Sequence, residues 1–164
     1  MAAWARALPT AAAILDLGCG SGVPISETLV HAGFEVFGVD AAPTMVAAFR
    51  VRFPQLAVQC AAVEDADFLE RSFDGIVAWG LIFLLDAGAQ RRLIAKMAGA
   101  LRIGGSMLFT APRAACSWAD VMTGRTSISL GLDEYRGQLE AGGLTLIGTE
   151  TDEGDNHYYF AVKR

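Results

Sequence analysis

The chain has 164 residues, a formal net charge of −5, 53% hydrophobic and 19% charged residues, enough for one domain with a core covered on both faces. Basic residues are scattered, the pair Arg91-Arg92 notwithstanding, so a nucleic-acid partner is not expected. The longest uncharged apolar run, Ile76 to Leu85, is too short to span a bilayer and no N-terminal signal peptide is recognisable, so the expected location is cytoplasmic, away from membranes.

In chain order, apolar runs bounded by turn residues alternate with segments of helical period. A first strand is expected over about 12–17 and a helix over about 24–33, with Pro24 suited to its first turn and Ala32-Gly33 at its end. A second strand runs over Phe34 to Val39 and closes on Asp40; a helix follows from Pro43 to about Arg52, and a third strand over Leu56 to Cys60. Ala61 to Ser72 reads as an acidic loop with a short helix, and Phe73 to Trp79 as a central, near-continuously apolar strand. A helix over about 87–101 closes on Arg102-Ile103-Gly104-Gly105, then a fifth strand covers Ser106 to Ala111 before Pro112. Ala114 to Ser129 reads as a long irregular loop and Asp133 to Ala141 as a helix. Leu144 to Thr151 and His157 to Val162 read as a closing hairpin. The expected fold is α/β: one domain over 1–164, with a doubly wound, seven-stranded, mostly parallel sheet and a C-terminal antiparallel hairpin.

The segment Leu15-Asp16-Leu17-Gly18-Cys19-Gly20-Ser21-Gly22 lies where the first strand turns into the first helix. Glycines there let a ligand approach bare backbone, and the helix start offers unpaired N–H groups. The dinucleotide spacing G-x-G-x-x-G would put a third glycine at position 23, where valine stands, and Asp16 would repel a pyrophosphate. A ligand with a ribose and positive charge suits the loop better. The segment resembles motif I of the class I S-adenosylmethionine (SAM) dependent methyltransferases, and the order of elements is similar over nearly the whole chain.

That resemblance implies SAM as cofactor, with S-adenosylhomocysteine as product, and a small-molecule methyl acceptor. It implies cofactor contacts from Asp16, Gly18, Cys19 and Gly20, and from Asp40 with its neighbour Ala41. Asp40 lies 22 residues after Gly18, where a carboxylate takes both ribose hydroxyls; its alternative, capping the next helix, is weakened by Pro43 as the better start. Met45 packs on the adenine or in the core. The family's adenine acid would fall at Ala62, so either Glu64 or Asp65, with the backbone near Val63, takes that role. Ala78 to Gly80 would face the methionine end of SAM, with Trp79 lining the methyl-transfer pocket or filling core.

A histidine common in relatives near the position of Leu84 is missing. His31 suits a helix C-terminus, which leaves His157 as the candidate base. Strand alternation puts His157 and Tyr159 on one face and Tyr158 on the other, so Asn156, His157 and Tyr159 would border the acceptor site. Trp118 in the long loop is a candidate for acceptor selection; Arg113 holds a substrate carboxylate or pairs with a surface acid. Three cysteines show neither a disulfide framework nor metal spacing, so no metal is expected, and Cys19 is expected to pack rather than react. Only about ten residues precede the glycine loop where relatives have a helical segment. The pocket is then open, or closed by another subunit, or the N-terminus is shortened; exposed Trp4 and Leu8 would favour a homodimer. A SAM- or S-adenosylhomocysteine-binding protein without catalysis is the alternative reading.

Overall fold

The computed structural model describes residues 1–121 and 123–164. Five strands run parallel in the order β3-β2-β1-β4-β5: β1 is Ala13–Leu17, β2 Glu35–Asp40, β3 Ala57–Cys60, β4 Phe73–Ala78 and β5 Leu101–Thr110. Two more strands, β8 (Leu144–Thr151) and β9 (His157–Lys163), extend the sheet, with β9 antiparallel to β5. The strand order reverses between β1 and β4, so the crevice at their carboxyl ends is the natural ligand position.

Alternation along each strand divides the core. Leu15, Leu17, Ile76, Phe109 and Tyr159 point to the face covered by α4 (Ala87–Ala100) and α5 (Leu132–Ala141). Ile14, Val77, Leu108 and Tyr158 point to the face covered by α1 (Ala2–Arg6) and α2 (Ile25–His31). Over β2 and β3, α3 (Pro43–Arg52) buries Val46 and Phe49 against Val58 and Cys19. Among the described residues, no helix is long and apolar enough to cross a membrane.

The structure differs from the sequence reading in four places. First, α4 stops at Ala100, and Leu101 to Gly105 belong to β5 rather than to a glycine-terminated helix end. Arg102 donates to Asp74 at 2.7 Å, and the register against β4 shifts between Phe73 and Gly75, so the glycines absorb an irregularity inside a strand. Second, the supposed irregular loop contains an antiparallel hairpin, β6 (Cys116–Ala119) with β7 (Thr126–Ser129). Third, α2 begins one residue after Pro24, which stands at its cap after a cis peptide bond.

The fourth correction concerns the N-terminus. Trp4 is not exposed: at 6% exposure it packs with Ala12, Ile14 and Tyr158, and its indole N–H donates to the Ser106 hydroxyl at 2.8 Å. Leu8 is half-buried, and a Cβ at Gly75 would lie 2.8 Å from it. The apolar surface expected to drive association is spent inside the domain.

Candidate active site at the carboxyl ends of β1, β2 and β4

The loop between β1 and α2 is held against β2. The N–H groups of Gly18 and Cys19 both donate to the Val39 carbonyl, at 2.8 and 3.1 Å. Gly22 has φ +87°, and a Cβ there would meet Phe53 at 2.5 Å, so α3 can pack only against a glycine. Gly20 is the opposite case. Its φ is +55°, but a Cβ would meet nothing within 4 Å, so its backbone faces open space beside the strand ends.

Asp40 ties this open backbone to β2. One carboxylate oxygen accepts from the Gly20 N–H at 2.8 Å, the other from the Ala42 N–H at 2.8 Å. Each oxygen keeps a lone pair for a further donor, which is what a pair of ribose hydroxyls requires. Asp40 is not the cap of α3, because Ala42 holds that position. Ala41 is exposed between them, and Met45, 47% exposed on the first turn of α3, is outside the core.

Asp16 lies beneath the loop, 1% exposed, and accepts from the Ser26 hydroxyl at 2.6 Å. Burial pushes its carboxyl up to about 7; the Ser26 hydrogen bond opposes the shift and the neighbouring Asp40 charge adds to it. The same burial, with the charges of Asp16 and Asp40, drives the Cys19 thiol far above its ordinary range, so Cys19 is a packing group.

After β3, Ala61 donates to the Asp40 carbonyl at 3.0 Å, bringing the next turn to the same edge. Val63 is buried, while the carboxylates of Glu64 and Asp65 are exposed. After β4, Ala78 is buried and Trp79 is half-buried, its ring edge-on to Tyr158 at 5.0 Å. Gly80 donates to the Thr110 hydroxyl at 2.8 Å, and Leu81 folds over the first glycine, 3.3 Å from where a Gly18 Cβ would stand. The structure thus brings the loops that follow β1, β2, β3 and β4 to one edge, with the side chains of two predicted cofactor residues, Asp16 and Cys19, buried beneath it rather than facing the cleft.

The predicted acceptor residues are gathered less completely. The β6–β7 hairpin packs over the turn after β4, with Trp118 5.5 Å from Phe83 between ring centroids. Arg113 is exposed in a cleft of about 610 Å³ between residues 113–115 and 130–134. Both acids in that cleft are already paired, Asp133 with Arg136 at 3.1 Å and Glu134 with Arg91 at 2.8 Å. Arg113 makes no ion pair among the described residues.

Asn156 and Tyr159 do not reach a cleft. The Asn156 amide is bound to both oxygens of Asp152, at 3.1 and 3.0 Å, and Asp152 also takes the Tyr158 hydroxyl at 2.5 Å. Those hydrogen bonds, Tyr158 foremost, hold the Asp152 carboxyl down at about 2 and close the β8–β9 turn on itself. Tyr159 is wholly buried, stacked on Phe109 at 4.6 Å, with its hydroxyl donating to the Pro112 carbonyl at 3.3 Å. Alternation does put His157 beside Tyr159, with ring centroids 5.0 Å apart. His157 is 7% exposed; its Nδ1 lies 2.8 Å from the Thr151 hydroxyl and its Nε2 has no partner among the described residues. Burial, then the Arg113 charge, holds its pKa below the usual histidine value.

Sequence reasoning missed Ser26 and Leu81. Ser26, a hydroxyl in the first turn after the glycine loop, left a signal; Leu81 acts through tertiary contact.

A doubly wound sheet whose first strand ends in an open glycine loop, gripped by the acid ending the second strand, defines a nucleoside-binding α/β enzyme. A family model described as a methyltransferase domain matches residues 14–105, more than half of the chain and all of the cradle. The chain belongs to that family, the SAM-dependent methyltransferases that Leu15 to Gly22 resemble. No curated protein matches the sequence.

Among solved structures, it is similar to the 1,6-didemethyltoxoflavin-N1-methyltransferase of Burkholderia thailandensis with bound 1,6-didemethyltoxoflavin and S-adenosylhomocysteine. The TM-score is 0.81 at 22% identity, over 99% of this chain and 75% of that one. A SAM-bound amino pentose methyltransferase from Micromonospora echinaspora gives a TM-score of 0.74 at 19% identity, over 98% and 86%. The magnesium protoporphyrin IX methyltransferase of Synechocystis PCC 6803 gives 0.75 at 18%, over 99% and 76%. At these identities the likeness establishes the fold.

Proposed function

We propose that the chain transfers the methyl group of SAM to an oxygen or nitrogen of a small-molecule acceptor in the cytoplasm, chiefly by positioning the two partners. The observation that carries this reading is the Gly20–Asp40 cradle: bare backbone on one side and a two-oxygen acceptor on the other. Bound SAM supplies a methyl group already made electrophilic by its sulfonium. The protein's task is to align a nucleophile with it, about 3–3.5 Å away, in a site free of water.

In this reading Asp40 takes the ribose, the turn at Val63 to Asp65 takes the adenine, and the backbone from Ala78 to Gly80 borders the methionine end. Met45 flanks the adenine from α3. The hairpin carrying Trp118 covers the acceptor. Arg113, unpaired where its neighbouring acids are satisfied, favours an acceptor bearing an acidic group. No base is assigned in this reading, because the one unpartnered ring nitrogen of His157, the candidate, is buried out of an acceptor's reach.

The test is incubation with methyl-labelled SAM and a fractionated metabolite extract. Label is expected in a small-molecule fraction, with S-adenosylhomocysteine released in equal amount. Tight SAM binding with no transfer to any fraction would replace this reading with that of a non-catalytic binding protein.

A further inference from the structure

Lys96 lies on α4, away from the strand ends that form the cradle, yet it reaches the turn after β3. Its ammonium donates to the carbonyls of Val63 and Glu64, both at 3.0 Å, and lies 4.6 Å from the ring centroid of Phe68. The carboxylates of Glu64 and Asp65 are exposed and form no ion pair with it among the described residues. The lysine therefore shapes the backbone of the turn and leaves its acids free.

The turn needs such a hold. Phe68, Leu69 and Glu70 have φ of +56°, +58° and +51°, three successive side-chain-bearing residues in the left-handed region. That conformation is costly and persists only where surroundings enforce it. Phe68 is 2% exposed, and the Asp67 carboxylate accepts from the Leu69 N–H at 2.8 Å. Lys96 grips both ends of the arch, carbonyls on one side and the Phe68 ring on the other.

We propose that Lys96 is a positioning residue that sets the turn at Val63 to Asp65 for recognition of the cofactor's adenine. This rests on the reading of that turn as the adenine contact. The ammonium fixes where the carboxylates and the backbone N–H groups stand, and so decides whether a six-membered ring with an amino group is distinguished from one with a carbonyl.

Calorimetry with S-adenosylhomocysteine and S-inosylhomocysteine tests it on the wild type, Lys96→Met and Lys96→Arg. Methionine keeps the apolar stem over Phe68 and removes the charge. Loss of charge-assisted bonds of this kind should weaken S-adenosylhomocysteine binding about tenfold. The inosyl ligand should lose little, so the preference for adenine collapses, and arginine should restore most of it. A lowered melting temperature with the adenine preference intact would overturn the proposal, since Lys96 would then be a staple of the fold only. Wild-type protein that binds both ligands equally would overturn the adenine role of the turn, and with it the proposal. Wild-type protein that binds neither would overturn the cofactor reading itself. If Lys96→Met does not fold, Lys96→Gln, with donors for at least one carbonyl, should show an intermediate loss of preference; a wild-type preference would refute the idea.

Discussion

Replacing Asp16 with asparagine isolates the electrostatics of the cradle, because the amide keeps an acceptor for the Ser26 hydroxyl while removing a buried charge. The Asp16 carboxyl rises from 3.8 in the open chain to about 7 in the fold. A folded value above the unfolded one means that its stabilising contribution is complete below 3.8 and is lost as pH rises through about 7. A shift of that size corresponds to about 4 kcal/mol once both states are ionised. Urea unfolding of the ligand-free proteins should therefore show the wild type losing stability relative to Asp16→Asn between pH 5 and pH 8, a difference from which the other titrating groups, His157 among them, cancel.

A cationic ligand acts in the opposite direction, since a nearby opposite charge lowers a carboxyl pKa by about 1–3 units. With a drop of about 2 units, SAM binding at pH 6 would release about 0.8 proton from this group, and affinity would strengthen about ninefold from pH 6 to pH 8. Calorimetry in buffers of different ionisation enthalpy measures the proton directly. Titration of SAM itself is common to wild type and variant, so the difference between them is the signal. Equal proton release from the two proteins would refute the reasoning.

Gly22→Ala should destabilise the fold by about 2–4 kcal/mol in denaturant titration, from overpacking against Phe53 together with left-handed strain. Gly20→Ala should cost about 1 kcal/mol of stability and yet weaken SAM binding, because its Cβ enters open space beside the strand ends; the opposite order would contradict the account of the loop. Trp4→Ala should cost about 3–5 kcal/mol by thermal unfolding, whereas an exposed tryptophan would cost almost nothing. Arg113→Gln should raise the pKa of His157 in an NMR titration, since burial and the Arg113 charge both hold it down and only the second is removed.

The sheet was legible because its strands announce themselves. Ile14-Leu15 and Ile76-Val77 are apolar on both faces, as buried parallel strands must be, and Gly33 and Pro43 punctuate the helices between them. The cofactor edge was legible because Asp16, the glycines and Asp40 sit at strand ends whose positions follow from that pattern. The acceptor side was not. The β6–β7 hairpin has short strands with little alternation, and it is held by contacts from other elements. Gln90 of α4 donates to the Ile128 carbonyl at 2.8 Å, and the Tyr135 hydroxyl of α5 in turn donates to Gln90 at 2.7 Å. Tyr159 looked like a site residue because a tyrosine beside a turn carries a polar tip. In the fold, Phe109 and Tyr135 enclose its ring and the Pro112 carbonyl accepts a hydrogen bond from its hydroxyl. Arg102 to Gly105 mimicked a helix end because strand irregularities and helix caps both use glycine.

The central claim is that the Gly20–Asp40 cradle holds the nucleoside of SAM, and calorimetry of SAM with the wild type and Asp40→Ala tests it most directly. Loss of a carboxylate that accepts two hydroxyls should weaken binding by about 10–100-fold, while NAD binds to neither protein. Affinity for SAM within twofold of wild type in a folded Asp40→Ala protein would contradict the account.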